Sequence, residues 1–313
     1  MDIPMRSIIK DTEYDFLSKG RQALIGSGIV CVIALLSLVF LGLNLGLDFT
    51  GGTLIEVSYP EAVELAEVRE ALAEAGYGDA VAQHFGTSSD VLIRVAPREG
   101  LNSAAISSDI LRVLEAQQSG VEMRRVEFVG PQVGDELVED GGLAMLYALI
   151  GIMLYVTLRF EWRLALGTIV ATIHDVIITL GIFSLFRVEF DLTVLAAVLA
   201  VIGYSVNDSV VVLDRIRENF RRIRRGNALK IMNVSINQTL SRTLMTSLTT
   251  LLAVIVLFLL GGPAIRNFSL ALIIGVLVGT YSSVYIASAT ALELGVSRED
   301  LLPKAKEEVD ERP

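Results

Sequence analysis

The sequence of 313 residues has a single cysteine, Cys31, which lies in an apolar run. A disulfide within the chain is therefore impossible, and there is no cysteine cluster of the kind that binds zinc or an iron–sulfur centre. The sequence also lacks a nucleophile arrangement and a phosphate-binding loop, because its GSG and GGP stretches are not followed by the rest of such a motif. We therefore expect no enzyme in the chemical sense, no cofactor and no metal.

Long apolar segments are abundant instead. The chain is 52% hydrophobic and its mean hydropathy is +0.58, values that soluble domains rarely reach. A helix that spans a bilayer needs about 20 mostly apolar residues. The sequence predicts an α-helical polytopic membrane protein with six spans, at 22–43, 142–158, 164–186, 192–213, 244–261 and 267–292. The first has no cleavage site after it and is expected to be an uncleaved anchor.

Basic residues are concentrated in alternate loops. They lie in the N-terminal segment 1–21 (Arg6 and Lys10 among them), in the turn 159–163 and in the loop 214–242. Short loops rich in Lys and Arg stay in the cytoplasm. We therefore expect both termini, 1–21 and 293–313, to be cytoplasmic in a multi-pass membrane protein.

The basic loop also has apolar residues at helical spacing: Leu213, Ile216, Phe220 and Ile223. This pattern predicts a helix that lies on the inner surface of the bilayer. Simple anchoring of the neighbouring spans by positive charge is an equally good interpretation.

The long loop 44–140 is acidic, with 18 Asp or Glu against six Arg and no Lys. Such a balance argues against nucleic acid as a partner. Its patterns predict the order β-α-β-β-α-β, which is that of a ferredoxin-like α+β domain on the periplasmic side. The predicted elements are a strand in TLIEVSY, a helix from Glu61 to Ala75, strands in AVAQHF and DVLIRVA joined by the turn GTSS, a helix capped by Asn102 and running to about Gln118, and a strand in VEMRRVEFV.

Ionisable groups occur inside three consecutive predicted spans. His174 and Asp175 lie near the middle of the third, and Thr172 and Thr179 share the face of Asp175. Such groups are rare in lipid and by default mark a pathway or a site. The stripe is interpreted either as a polar seam between helices or as a proton relay.

Asp208 in the fourth span shares a face with Ser205 and Ser209, and Asn207 lies beside it. At the cytoplasmic edge of the fifth span, Arg242 shares a face with three threonines, Thr246, Thr249 and Thr250. Because Asp208 and Arg242 lie at matching depth on successive helices, we expect them to pair, and protonation of Asp208 to break the pair. There are three other interpretations. Arg242 extends its side chain to the membrane surface, Asp208 is a permanently neutral hydrogen-bonding group, or His174 has a structural role.

The sixth span has a small residue at every fourth position: Ala271, Gly275, Gly279, Ser283, Ala287 and Ala291. Such a ridge allows close approach of two helices in lipid. We expect a contact within the chain, with a contact between subunits as the alternative.

Five blocks of sequence, in order, resemble the SecD/SecF family of the RND superfamily, on its SecF side. They are LGLDFTGG, ATIHDVIITLGIFS, IGYSVNDSVVVLDRIREN, NQTLSRTLMTSLTTLL and FSLALIIGVLVGTYSSVYIAS. The resemblance implies half of an RND-type membrane domain in the bacterial inner membrane. It implies SecD as the partner in a heterodimer, the SecYEG translocon and YajC as associates, and a translocating preprotein as the substrate.

The resemblance also assigns roles to residues. It implies that Asp208 and Arg242 take part in proton conduction, with His174, Asp175 and Asn207 on the same pathway. The predicted function is use of the proton-motive force to assist protein export. The alternatives are half of an RND-type exporter of small molecules or lipids and a purely structural assembly subunit.

The first block includes Asp48, Gly51 and Gly52, which follow the first span. Glycine permits backbone angles that other residues avoid, so this segment is interpreted either as a joint between span and domain or as a tight turn.

Overall fold

A computed structural model of the chain describes residues 12–98 and 102–301, so Arg6, Lys10 and the tail after residue 301 lie outside the described residues. Eleven α-helices occur in these ranges. In chain order they are α1 (Gly20–Phe40), α2 (Leu47–Thr50), α3 (Leu65–Glu74), α4 (Ser103–Gln117), α5 (Pro131–Arg159), α6 (Trp162–Leu185), α7 (Leu192–Arg222), α8 (Ala228–Leu260), α9 (Arg266–Ser282), α10 (Ser288–Glu293) and α11 (Arg298–Leu301).

Six helical stretches within the described residues are long and apolar enough to cross a membrane. They are α1 with the turn before it, α5, α6, α7, α8, and a last stretch, Pro263–Glu293, in which a π-helical segment, Ser283–Ala287, joins α9 to α10. The predicted number of spans is therefore confirmed.

The strands in the described ranges are β1 (Asn44–Leu45), β2 (Gly52–Ser58), β3 (Val81–Phe85), β4 (Thr87–Val95), β5 (Glu122–Val129) and β6 (Glu189–Phe190). Four of them form an antiparallel sheet in the order β3-β4-β2-β5, and β1 pairs in parallel with β6. Residues 52–129, here called the sheet domain, bury their own core between the sheet and the helices α3 and α4. Alternate residues of β2, such as Ile55 and Val57, supply that core because strand side chains alternate between faces.

Two boundaries predicted within the sheet domain are wrong. The helix begins at Leu65 rather than at Glu61, because Tyr59 and Val63 still donate backbone hydrogen bonds to the carbonyls of Ser89 and Ser88. The turn predicted in GTSS is shorter, since Phe85 pairs with Thr87 across Gly86.

The boundary predicted at residue 140 falls inside α5. This helix starts at Pro131, and a proline is well suited to the first helical position because its missing N–H is not needed there. Five of its first ten residues are Gln, Asp or Glu, and these interrupt the apolar pattern that marks a span. The span and the acidic segment before it are one continuous helix.

The helix predicted on the membrane surface is also wrong. The helix α7 continues without a break to Arg222, and Leu213, Ile216 and Phe220 are fully buried. They belong to one apolar cluster with Ile231 and Met232 at the start of α8. The apolar side of this segment therefore packs against protein and is not free to contact lipid.

The helices α6, α7 and α9 form the centre of the bundle, with α1, α5 and α8 around them. The ridge of small residues on α9 packs inside the chain, against α7. A Cβ atom added at Gly275 would lie 2.1 Å from Cγ2 of Val201. This close approach brings the polar side chains of the three central helices together.

Candidate functional site

Asp175 lies at the meeting point of the three central helices and is 0% exposed. On α6 its Oδ1 is 2.8 Å from Nδ1 of His174. Its Oδ2 accepts hydrogen bonds from Ser205 on α7 at 2.5 Å and from Ser282 on α9 at 2.6 Å. The second ring nitrogen of His174, Nε2, is buried and has no partner among the described residues. One carboxyl group therefore links α6, α7 and α9.

Asp208 lies one turn after Ser205 on α7 and is 5% exposed. Its Oδ2 accepts a hydrogen bond from Oγ of Ser283 at 2.5 Å. Ser282 and Ser283 are consecutive residues, and consecutive residues of a helix point about 100° apart because a turn contains 3.6 residues. One short stretch of the sixth span thus contacts both buried acids.

Arg242 does not pair with Asp208 as predicted. Within ranges 12–98 and 102–301, these two residues form no ion pair. The reason is that Asp208 is turned toward α9, where Ser283 supplies its donor, whereas Arg242 is exposed on α8. Asn207, beside Asp208, is exposed as well.

Arg242 lines an open cleft of about 920 Å³ between α7 and α8. Val211 and Thr239 also line it. Toward the end of α7 that is farther from the sheet domain its lining has four arginines and two acids: Arg215, Arg217, Arg221, Arg222, Asp214 and Glu218. The cleft therefore extends from a basic surface to Arg242, which lies near the level of Asp208.

The threonines of the predicted polar seam do not join helices through their side chains. Thr172, Thr179, Thr246 and Thr249 each donate to a backbone carbonyl of their own helix. Ser209 is buried without a hydrogen-bond partner among the described residues. Within the described part of the chain, Ser205 is the one residue of the predicted seam that bonds a side chain of another helix.

Sequence reasoning missed the hydroxyl contacts of α9. Tyr204 on α7 donates to Ser247 on α8 at 3.1 Å, and Ser247 lies 2.7 Å from the hydroxyl of Thr280. Ser282 was not singled out, and Ser283 was assigned only to helix packing. The signal was present as the run TYSS, four hydroxyl side chains in the middle of an apolar span.

Asp48, Gly51 and Gly52 form a packed turn between α1 and the sheet domain. Gly51 and Gly52 have φ of 64° and 121°, and these positive values favour glycine. Oδ2 of Asp48 accepts a hydrogen bond from the backbone N–H of Leu192, at the start of α7, at 3.0 Å. The helix α5 passes so closely that a Cβ atom on Gly134 would lie 3.0 Å from the nitrogen of Gly51. The segment ties three elements together.

Two side chains of the sheet, Arg94 and Gln83, make further contacts with the bundle side. Arg94 of β4 donates to the carbonyl of Leu45 and lies 3.6 Å from Glu189 of β6. Gln83 of β3 also donates to Glu189, at 3.2 Å. Beside these contacts a cavity of about 420 Å³ separates the sheet from the bundle. Across the described ranges, no group of three or more His, Cys, Asp or Glu side chains is arranged to hold a metal ion.

Two family profiles match the chain. Residues 109–297 match "Protein export membrane protein SecD/SecF, C-terminal", and residues 36–59, which include the packed turn, match the "SecD/SecF GG Motif". Two similar proteins are each named protein translocase subunit SecF. That of Vibrio alginolyticus is 50% identical over 95% of this chain and 96% of its own length, and that of Escherichia coli O157:H7 is 49% identical over 94% and 92%.

Solved structures agree in fold. The chain is similar to the crystal structure of SecDF from Thermus thermophilus, with a TM-score of 0.83 and 38% identity over 91% of this chain. A second structure, SecDF in a super-membrane-facing form, gives a TM-score of 0.69 at 37% identity over the same share. The chain spans 39% of each of these longer SecDF chains. From the profiles and the SecF relatives together, the chain belongs to the SecD/SecF family of protein export membrane proteins, in the group of protein translocase subunits named SecF.

Proposed function

We propose that this chain assists protein export by using the proton-motive force, with Asp208 as the group that takes up and releases the proton. It acts without catalysing a chemical reaction, in a heterodimer with SecD in the bacterial inner membrane. The associates are the SecYEG translocon and YajC, and the substrate is a translocating preprotein. The sheet domain is a ferredoxin-like domain on the periplasmic side, and both termini are cytoplasmic.

One observation carries this proposal. Asp208 is a buried carboxyl that accepts a hydrogen bond from Ser283, and the positive charge of Arg242, which has no ion-pair partner among the described residues, lies in an open cleft at the next helix. A carboxyl group inside a bilayer is costly unless it has partners, and it usually marks an ion pathway. The cleft offers protons a route from the basic end of the bundle. Transfer of one charge across 100 mV releases about 2.3 kcal/mol, which is enough to bias two arrangements of the protein.

The polar groups exposed at membrane depth support SecD as the partner. Asn207, Arg242, Thr246 and Thr249 are exposed on α7 and α8 in the isolated chain. Polar side chains of spans face protein or water rather than lipid. A second subunit of related fold would cover them, which agrees with a chain that matches only part of the longer SecDF chains.

Contacts between the packed turn and the spans that hold the site support a movement of the sheet domain during the cycle. Asp48 contacts the start of α7, the helix that carries Asp208. The chain is also more similar to one solved SecDF arrangement than to the other, at the same coverage. We infer that the fold has more than one stable arrangement and that the charge on Asp208 selects between them.

The test is export in cells that carry Asp208→Asn or Arg242→Met. We expect both variants to accumulate, to bind SecD and to lose the export contribution. Glu293→Gln is the control, because Glu293 is an exposed acid at the end of the last span and does not line the cleft. Normal export by the first two variants would refute the proton role.

The same experiment separates the other candidates. A purely structural subunit would lose SecD binding in Asp208→Asn rather than activity. An exporter of small molecules is disfavoured by the cavity between sheet and bundle, whose walls carry many charged side chains, whereas pockets for such ligands are mostly apolar. Its residues include Glu56, Glu127, Arg125, Arg187 and Arg266.

A further inference from the structure

The hydroxyl of Ser283 has two acceptors within reach. Oδ2 of Asp208 is 2.5 Å away, and the backbone carbonyl of Thr280, one turn earlier in the same span, is 3.1 Å away. A serine hydroxyl has one proton, so it donates to one acceptor at a time. An ionised carboxylate is the stronger acceptor of the two. Ser283 therefore holds Asp208 when the carboxyl is charged and retains a partner when Asp208 leaves.

We propose that Ser283 is a positioning residue for Asp208. Its hydroxyl holds the carboxylate against the sixth span and away from Arg242, and Asp208 must exchange this donor for the donors of α8 during each cycle. This inference rests on the proposed function, because it assigns the step by which the proton site is closed and opened.

The helix α8 has donors ready for the exchange. Arg242 is unpaired among the described residues and lies in the cleft. Thr243, the next residue, has a buried hydroxyl that lies beside Asp208 but makes no hydrogen bond of ordinary geometry in the part of the chain that the structure describes. A buried hydroxyl without a partner is unfavourable. Movement of Asp208 toward α8 would satisfy both groups at once.

Ser282 repeats the same arrangement one residue earlier. Its hydroxyl donates to Asp175 at 2.6 Å and has the carbonyl of Gly279 at 3.1 Å as the alternative. Both serines stand where α9 gives way to the π-helical segment. Segments of this kind are rare and are frequently found at functional sites. A small shift there would change the donors of both acids, so release of Asp208 is coupled to Asp175 and to α6.

The test compares Ser283→Ala, Ser283→Thr and Asp208→Asn in one export assay, with the full SecD complex. We expect Ser283→Ala to lower the proton-dependent export rate about tenfold, the factor that loss of one hydrogen bond to a charged group gives. Ser283→Thr keeps the hydroxyl and should restore most of that rate. Ser269→Ala is the matched control, because Ser269 is a buried serine of the same helix that bonds only its own backbone.

A spectroscopic measurement distinguishes positioning from packing. In pH-difference infrared spectra the carboxyl band of Asp208 is the one that Asp208→Asn removes. We expect Ser283→Ala to move this band and Ser269→Ala to leave it in place. If Asp208→Asn is inactive, then full export by Ser283→Ala, or an unmoved carboxyl band in that variant, would overturn the inference about Ser283. Normal export by Asp208→Asn would instead overturn the proposed function itself.

Discussion

Asp175 is the residue whose loss should damage the bundle most. It is fully buried and contacts His174, Ser205 and Ser282, so its removal leaves donors of three helices without their acceptor. Removing one member of a buried polar pair costs about 3 kcal/mol or more. We expect Asp175→Ala to lower the free energy of unfolding by about that amount. The measurement is the apparent Tm of the detergent-solubilised protein.

Thr179→Val is the control for this change. Thr179 lies one turn further along α6 and is equally buried, but its hydroxyl donates only to the backbone carbonyl of Asp175. Its loss should shift the Tm much less. Equal shifts for the two variants would show that the contacts of Asp175 do not hold the helices together.

At the residue scale the acids were predictable and their partners were not. Asp175 and Asp208 stand out because carboxyl groups are rare in apolar spans. Spacing along one helix shows which residues share a face, but it does not show which helix packs against that face. Spacing alone therefore predicts a packing role for Ser283, and it predicts Arg242, at a similar depth, as the partner of Asp208.

Close packing between α7 and α9 depends on a single missing side chain. A Cβ atom at Gly275 would overlap both methyl groups of Val201. Overpacking of this kind costs roughly 1–3 kcal/mol. We expect Gly275→Ala to lower the apparent Tm, and Val201→Ala to restore part of the loss when the two changes are combined.

Gly151→Ala provides the comparison. Gly151 is a glycine of α5 with no atom within 4 Å of the position that a Cβ would take. Its substitution should leave the Tm unchanged or raise it slightly, because alanine favours helix. If Val201→Ala gave no recovery in the double variant, the overlap with Val201 would not be the cause of the loss.

The pairing of β2 with β4 should weaken in acid. Hydroxyl donors from Thr87 and Ser58 to the carboxyl group of Asp90 hold the pKa of Asp90 below its usual value. A lowered pKa in the folded state stabilises it above the unfolded pKa of about 3.9, and this contribution is lost as the pH falls through the folded pKa. We expect faster local opening at about pH 3 than at pH 7, relative to intrinsic rates.

Hydrogen exchange of the β2 and β4 amides in the full chain measures this opening. Asp90→Asn should remove the acid-dependent part, because the amide does not titrate in this range. Asp135→Asn, a change of an exposed acid on α5, is the control for net charge. An unchanged acid response in Asp90→Asn would refute the assignment.

At the element scale, the number of spans was predictable and their ends were not. Apolar runs mark the part of a helix that lies in lipid, whereas the helices α5 and α7 continue beyond it with polar residues. The buried face of α7 near Phe220 shows the same limit. Amphipathic spacing predicts that something covers the apolar face of a helix. It does not show whether that cover is a lipid surface or, as here, the start of α8.

At the scale of the whole molecule, the exposed surface of the bundle has two kinds of face. The outer face of α5 is apolar, with Leu146, Ile150 and Leu154 exposed, as expected of a surface in contact with lipid. The face formed by α7 and α8 instead exposes Asn207 and Arg242 at membrane depth. Polar side chains at this depth face protein or water rather than lipid, so this second face is where we expect SecD to bind.

Two glycines allow the two faces to be compared directly. Gly203 lies one turn before Asn207 on α7, and Gly151 lies on the apolar face of α5; both are exposed, and nothing lies within 4 Å of the position of a Cβ atom on either. A side chain that begins at either position therefore starts in open space within the chain itself. If SecD covers α7 and α8, Gly203→Leu places a bulky side chain in that interface and should abolish co-purification of SecD in mild detergent. Gly151→Leu should have no effect, since a leucine in contact with lipid is favourable.

Equal recovery of SecD with both variants would show that the polar face of α7 is not where SecD binds, and the partner would then have to be sought on the remaining faces of the bundle.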